Sequence, residues 1–480
     1  MTKRTGHWPL LAVLMVAACT TPQAPRETGS AAGTLYTFVV LSADGAPIAR
    51  AITSAATCPP MELDGVAQAM TVRALPATIP LRPTVSPPSA SKPSAFPVLT
   101  CEAPIPSGVA RATIGGRALP LPRATPRTIV VLGDSGCRMA IAGPAFQACN
   151  DPVQWPLATI ADTAAASAPD LVIHVGDYHY RENACPPGNA GCAGSPWGYG
   201  WDVWEADFFA PAAKLLAVAP WIVVRGNHES CARAGQGWWR FMDPRPLAAR
   251  QDCNDAADDA IGDFSEPYAV PLGTGASSDT QFIVFDSSRV GVTPLQPGEA
   301  MYENYRAQFE RTFALASRRP NTFFMDHHPV LAFAPKPSKP DSPYPGNAGL
   351  QSVLQALEPV ALFPSGIKAL ISGHVHLFEV VSFSTPQPPQ FVSGIGGDWV
   401  DTLLPLPLAA NIQPAPGAVV SALVATNRFG YMAMQRDGAR WTMTARDVAG
   451  AVMTTCTLID RRAECVPTGW LGGKDARPGY

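Results

Sequence analysis

From Thr128 onward, short apolar runs recur, and each is closed by polar residues, in most cases with a glycine among them. "TIVVL", "LVIHV", "WIVV", "QFIVF", "TFFM" and "KALI" are apolar throughout rather than alternating. Such runs predict strands buried on both faces. Between them lie segments with helical spacing: "PLATIADTAAASA", "WEADFFAPAAKLLAVA", "NYRAQFERTFALAS" and "LQSVLQALEP". Strands alternating with helices predict α/β layers. After His376 the pattern becomes strand-rich again, in "EVVSF", "FVSGIGG" and "GYMAMQRDGARWTMTARD".

Residues 34–122 read differently. "TLYTFVVLSADG" is a strand ending in an Asp-Gly turn, and "MTVRAL" and "VARATIGG" are further short strands. The Pro/Ser-rich "PATIPLRPTVSPPSASKPSAFP" predicts a long surface loop or extended crossover. The expectation is a small all-β domain over 34–122, a linker at "LPLPRATPR", an α/β domain over 127–465 and a tail over 466–480.

Composition adds compartment. Lys3 and Arg4 precede an apolar run from Leu10 to Ala18, closed by Cys19. The run has the form of an export signal over 1–19 and is short for a membrane span. Its ending "VAAC" resembles the bacterial lipobox, which implies lipidation of Cys19, a tether over 20–33 and, with Thr20 rather than Asp next, an outer-membrane address. An ordinary signal peptide cleaved nearby is the alternative. Setting Cys19 aside, Cys58, Cys101, Cys137, Cys149, Cys185, Cys192, Cys231, Cys253, Cys456 and Cys465 form near-neighbour pairs, and an even set in an exported chain reads as disulfides. A zinc site is the weaker reading, because no Cys-x-x-Cys occurs. The formal net charge of -3 gives no basic excess for nucleic acid.

The chemistry sits where the buried strands end. In chain order those ends carry Gly133-Asp134-Ser135-Gly136, Gly176-Asp177-Tyr178-His179-Tyr180, Gly226-Asn227-His228-Glu229, Asp326-His327-His328 and Gly373-His374-Val375-His376. Sites in open α/β sheets form outside the carboxyl ends of strands. Of the 8 histidines, only His7 lies away from these ends. Carboxylates, an amide oxygen and imidazoles suit a pair of divalent or trivalent cations, and two such ions can activate water and clamp the oxygens of an in-line displacement.

These five blocks, "GDSG", "GDYHY", "GNHE", "FMDH" and "GHVH", resemble those of calcineurin-like metallophosphoesterases of the purple acid phosphatase type. The resemblance implies a four-layer α-β-β-α sandwich preceded by the small all-β domain. It implies two metal ions, with Asp134, Tyr180 and His376 on the first, Asn227, His327 and His374 on the second, and Asp177 shared. Fe(III) is expected beside Tyr180, with Fe(II), Zn or Mn in the second position. His228 and His328 are the implied catalytic residues, His228 facing the substrate and assisting the leaving group. Gly136 stands where most of the superfamily has a histidine ligand, and Tyr180 is the residue that would replace it. Phe324 replaces the usual Val of the fourth block. The implied reaction is hydrolysis of a small-molecule phosphate ester by a metal-bound hydroxide, as in an acid phosphatase, with phosphodiesterase or nucleotide pyrophosphatase activity as the alternative. A non-catalytic binding module on the same scaffold is the alternative of another class.

Two other enzyme readings are weaker. "GDSG" also resembles the start of GDSL-type esterases, with Ser135 as nucleophile, but no histidine here has an Asp three residues before it. A trypsin-like protease needs an all-β setting that this chain lacks. Aromatics in "CPPGNAGCAGSPWGYGW" and "GQGWWRF" either stack on a leaving group or pack internally.

Overall fold

The computed structural model describes residues 1–2, 33–142, 145–273, 278–339, 341–404, 406–409 and 412–472. Nearly all of the export signal, with Cys19, nearly all of the tether and the last residues of the tail lie outside the described residues.

Two large sheets face one another. The first is 11-stranded. Its centre is parallel: Thr128–Leu132 pairs with Leu171–His174, which pairs with Trp221–Val223. On one side, Gly430–Asp437, Arg440–Asp447, Val452–Ile459 and Arg462–Val466 extend it antiparallel. The second sheet is 8-stranded, with Thr280–Val284, Asn321–Met325 and Ile367–Ser372 parallel at its core.

Strand alternation explains the layers. Ile129, Val131, Ile173 and Ile222 point into the space between the sheets, where they share a core with Phe323, Met325, Ala369 and Ile371. Val130, Leu132, Val172 and Val223 point the other way, onto Leu157 and Ile160 of helix Leu157–Ala166 and Leu215 and Leu216 of helix Ala213–Val218. On the far side, Ile283, Phe324 and Leu370 pack against Tyr305 and Phe309 of helix Ala300–Ala316 and Leu350 and Leu354 of helix Ala348–Leu357. Burial on both faces is why these strands read as continuous apolar runs. The result is the four-layer α-β-β-α arrangement.

The N-terminal region is all-β, as expected. Four of its strands also continue the first sheet. Thr34–Leu41 runs parallel to Trp221–Val223 through the register Val40 to Trp221, and Pro47–Thr53, Leu99–Pro104 and Thr71–Ala74 follow antiparallel. The Pro/Ser-rich stretch is less superficial than its composition predicts. It forms a hairpin of Ala77–Ile79 with Ser94–Phe96, and Phe96 is fully buried.

The segment "WEADFFAPAAKLLAVA" is not one helix. Trp201–Trp204 is α-helical, Glu205–Phe209 is a π-helical turn, and the chain re-forms as Ala213–Val218 beyond Pro211. A second π-turn covers Trp238–Met242. Trp201, Trp204, Phe208, Phe209, Trp238, Trp239 and Phe241 are all buried in one aromatic cluster behind the first sheet. The aromatics of "GQGWWRF" are therefore core residues and not a surface for a leaving group.

All ten cysteines among the described residues are paired: Cys58–Cys101, Cys137–Cys149, Cys185–Cys192, Cys231–Cys253 and Cys456–Cys465. Five disulfides fit an oxidising compartment. Among the described residues, no helix is long and apolar enough to cross a membrane.

Candidate metal centre

Five loops converge at the carboxyl ends of the two sets of parallel strands. The first sheet supplies Asp134, Asp177, Tyr180 and Asn227, and the second supplies His327, His374 and His376. The Tyr180 hydroxyl lies 2.8 Å from Asp177 Oδ2, 3.1 Å from Asp134 Oδ1 and 3.1 Å from His376 Nε2. Asn227 Oδ1 lies 3.0 Å from both His327 Nε2 and His374 Nδ1. His327 Nε2 is also 3.1 Å from Asp177 Oδ2. Ligand atoms of Asp177, His327 and His374 all lie within 4.8 Å of one another.

The backbone is bent to make this meeting possible. Asp134, Asp177 and His374 have φ of 55°, 59° and 69°, in the left-handed region that few non-glycine residues occupy. Gly226 allows Asp177 to approach: a Cβ there would stand 2.1 Å from Asp177 Oδ1. Gly136 is filled on all sides, and a Cβ would meet Tyr178 O at 2.8 Å and Tyr180 N at 2.9 Å. No side chain fits at position 136, so the backbone around Tyr180 occupies the space a histidine there would need.

The histidine tautomers are set from outside the cluster. His327 Nδ1 lies 2.8 Å from the Val175 carbonyl and His376 Nδ1 2.6 Å from the Trp399 carbonyl. A carbonyl only accepts, so each Nδ1 carries the proton and each Nε2 turns toward the carboxylates. Neutral imidazoles would then set lone pairs against carboxylate and amide oxygens, an arrangement that needs a cation or extra protons between them. The field of the site favours such positive charge. Burial alone would lower both rings, but Asp177 and Asp134 push His327 up to about 10, and Asp398 and Asp134 push His376 up to about 9. Tyr180 is driven well above its ordinary value by burial and by Asp177 and Asp134. The donor set fits metal ions.

Several residues that shape the site have no assigned role in the sequence reading. Glu229 is fully buried and accepts from the backbone N–H groups of Asp177, Tyr178, His179 and Gly226 at 2.8–3.3 Å. It ties the second and third loops together. Burial and the charge of Asp177 push it up to about 8. Asp207 does the same for the first two loops, accepting from Cys137 N at 3.1 Å and Tyr180 N at 2.8 Å. Asp398 follows a strand and a glycine pair in "FVSGIGGD", the Gly-Asp signature of the first two blocks, and could have been found by it. Asp207, mid-helix, has no such signal.

The remaining histidines divide. The His228 ring packs tilted against Tyr180, 4.0 Å between ring centroids, and lies 3.2 Å from Glu182 Oε1 through Nδ1. His328 contacts the His374 ring at 4.2 Å and lies 3.3 Å from Ser287 Oγ. Burial and His327 lower it to about 3, so it is neutral. His174 and His179 stay out of the cluster. His174 is bonded to Ser135 Oγ at 2.9 Å, and His179 to the Gly198 carbonyl at 2.8 Å. Ser135 is fully buried, which removes the esterase reading.

Carboxylate, amide and imidazole donors at the seam of two facing sheets define a class: metal-dependent hydrolases built on a double-sheet sandwich. The calcineurin-like phosphoesterase model matches residues 127–378, more than half of the chain, and the chain belongs to that family. It is a metallophosphoesterase, and it hydrolyses phosphate esters with the help of metal ions. No curated protein sequence matches it. Among solved structures, the purple acid phosphatase PPD1 from yellow lupin (Lupinus luteus) seeds shares its fold at 13% identity and a TM-score of 0.53, over 90% of this chain and 75% of that one. PhoD does so at 12% identity and a TM-score of 0.53, over 94% of each chain.

Proposed function

We propose that the protein is an exported phosphomonoesterase of the acid phosphatase type, with two metal ions held by the seven converging side chains. The observation that carries this reading is the convergence itself. Three donors gather within 3.1 Å of the Tyr180 hydroxyl, and a second group meets at Asn227 Oδ1. Asp134, Tyr180 and His376 would hold Fe(III), Asn227, His327 and His374 would hold Fe(II), Zn or Mn, and Asp177 would serve both. When bound, the metals supply Lewis acidity and a water acidic enough to serve as nucleophile.

The chain's own residues do the rest. The tautomers fixed by Val175 O and Trp399 O keep both Nε2 atoms aimed inward. Glu229 and Asp207 fix the loops. His228, with Nδ1 facing Glu182, has Nε2 left to donate to the departing ester oxygen. His328, neutral and against His374, lines the substrate side. Residues 127–465 carry the chemistry and 34–122 brace them. Lipid on Cys19 would hold the protein at the outer membrane.

The test is a panel of monoesters, diesters and nucleotides on the purified, metal-analysed protein. A preference for monoesters supports the reading, and a preference for diesters assigns the same centre to a phosphodiesterase. Iron-loaded protein should be coloured by phenolate-to-iron charge transfer, and Tyr180→Phe should bleach it without loss of fold. An active, fully metallated but colourless wild type would rule out the tyrosinate.

A further inference from the structure

Arg138 stands next to the candidate iron ligand without touching the cluster's donor atoms. Its guanidinium carbon lies 4.7 Å from the centroid of the Tyr180 ring. Asp398 grips it from behind in a two-point contact, with Nε 3.2 Å from Oδ1 and Nη2 against Oδ2. Asp398 is fully buried, and its Oδ2 is also 3.4 Å from His376 Nδ1. Its backbone N–H donates to the Asp134 carbonyl at 2.9 Å. Arg138 itself follows Cys137, which is bonded to Cys149, and its N–H donates to Gln147 Oε1 at 3.0 Å. A cation so fixed is not a mobile surface side chain, although 21% of it remains exposed.

We propose that Arg138 is a positioning residue that sets the electron-donor strength of Tyr180. A cation over an aromatic face is attracted to the ring, and far more strongly once the ring carries phenolate charge. It stabilises the filled phenolate orbitals from which the charge-transfer transition starts. Asp398 holds the planar guanidinium in place, and 3.4 Å from His376 Nδ1 the same carboxylate also faces a second candidate ligand of that metal. This inference rests on the tyrosinate reading above.

The experiment reads the visible band of iron-loaded wild type, Arg138→Lys and Arg138→Met, with iron content and near-ultraviolet circular dichroism as controls. Removing the cation raises the donor orbital, so the band of Arg138→Met moves to longer wavelength. Arg138→Lys keeps charge but loses the planar stack, and its band lies between the other two. A purely structural role would change activity or iron content without moving the band of the iron-bound fraction. A coloured wild type whose band stays fixed in Arg138→Met at full iron content overturns the proposal. If Arg138→Met loses iron or fold, Arg138→Lys decides, and an unshifted band there overturns it equally. A colourless iron-loaded wild type overturns both this inference and the tyrosinate on which it rests.

Discussion

His228 and Glu229 are neighbours with opposite tasks. His228 faces Tyr180 and Glu182 beside the cluster, whereas Glu229 turns inward to collect four backbone N–H groups. If His228 aids the leaving group, His228→Ala should slow alkyl phosphates by about 10²–10⁴-fold. It should slow p-nitrophenyl phosphate far less, because that phenolate departs unaided. Steady-state kinetics on both substrates, with metal content unchanged, checks this. Glu229→Gln sets an amide NH₂ against N–H donors. Metal affinity should fall by roughly 10–100-fold, measured by competition with a chelator, while His228→Ala should retain its metals.

At the scale of elements, each loop needs something to hold it against the strain of its turn. The first loop has the Cys137–Cys149 bond, Gln147 and Asp207. For a closure of this length, loss of the disulfide in a Cys137→Ala/Cys149→Ala variant should cost about 3 kcal/mol. Denaturant unfolding reads that cost, and metal affinity should fall with it. The entry to the first catalytic strand is held by Asp170, which accepts from Arg127 N at 2.7 Å, Thr128 N at 3.0 Å and Thr128 Oγ1 at 3.1 Å. Burial alone would raise this carboxyl, but those hydrogen bonds and Arg123 hold it below its ordinary value. Its folded pKa is thus below the unfolded one of about 3.9. The stabilisation is present above that value and is lost as pH falls through the folded pKa. Asp170→Asn should therefore be less stable than wild type at pH 7, and the gap should narrow at pH 3, as urea unfolding at the two values would show.

At the scale of the whole molecule, the N-terminal strands are structural partners of the catalytic sheet. Thr34–Leu41 covers the edge of Trp221–Val223, the strand that leads to Asn227. Phe38 and Val40 are fully buried in the aromatic cluster, and buried Arg50 donates to the carbonyls of Phe241 and Asp243 at 2.7 Å and 3.0 Å. A fragment lacking residues 34–122 would expose a bare strand edge and that apolar surface. It should be recovered as aggregate, whereas soluble, metal-binding fragment would show that the two regions separate.

The five strand-end blocks and the buried strands that carry them were legible in the sequence because both are local. A strand buried on both faces must be apolar throughout, and a sharp turn after it asks for glycine. The cysteine pairs were legible because each cysteine bonds the next one along the chain, from 7 residues apart at Cys185–Cys192 to 43 at Cys58–Cys101. What the sequence could not show is what spatial packing alone brings together. Arg138 and Asp398 are far apart in sequence and become partners only when a loop from each sheet meets at the seam. Asp207 looks like any acidic helix residue until the π-turn aims it at Tyr180 N. The parallel pairing of Thr34–Leu41 with Trp221–Val223 leaves no trace in either segment, because hydrogen bonds between strands use the backbone, which every sequence shares. Local chemistry was written in the residues, and the choice of distant partners was made by burial and backbone pairing across the whole fold.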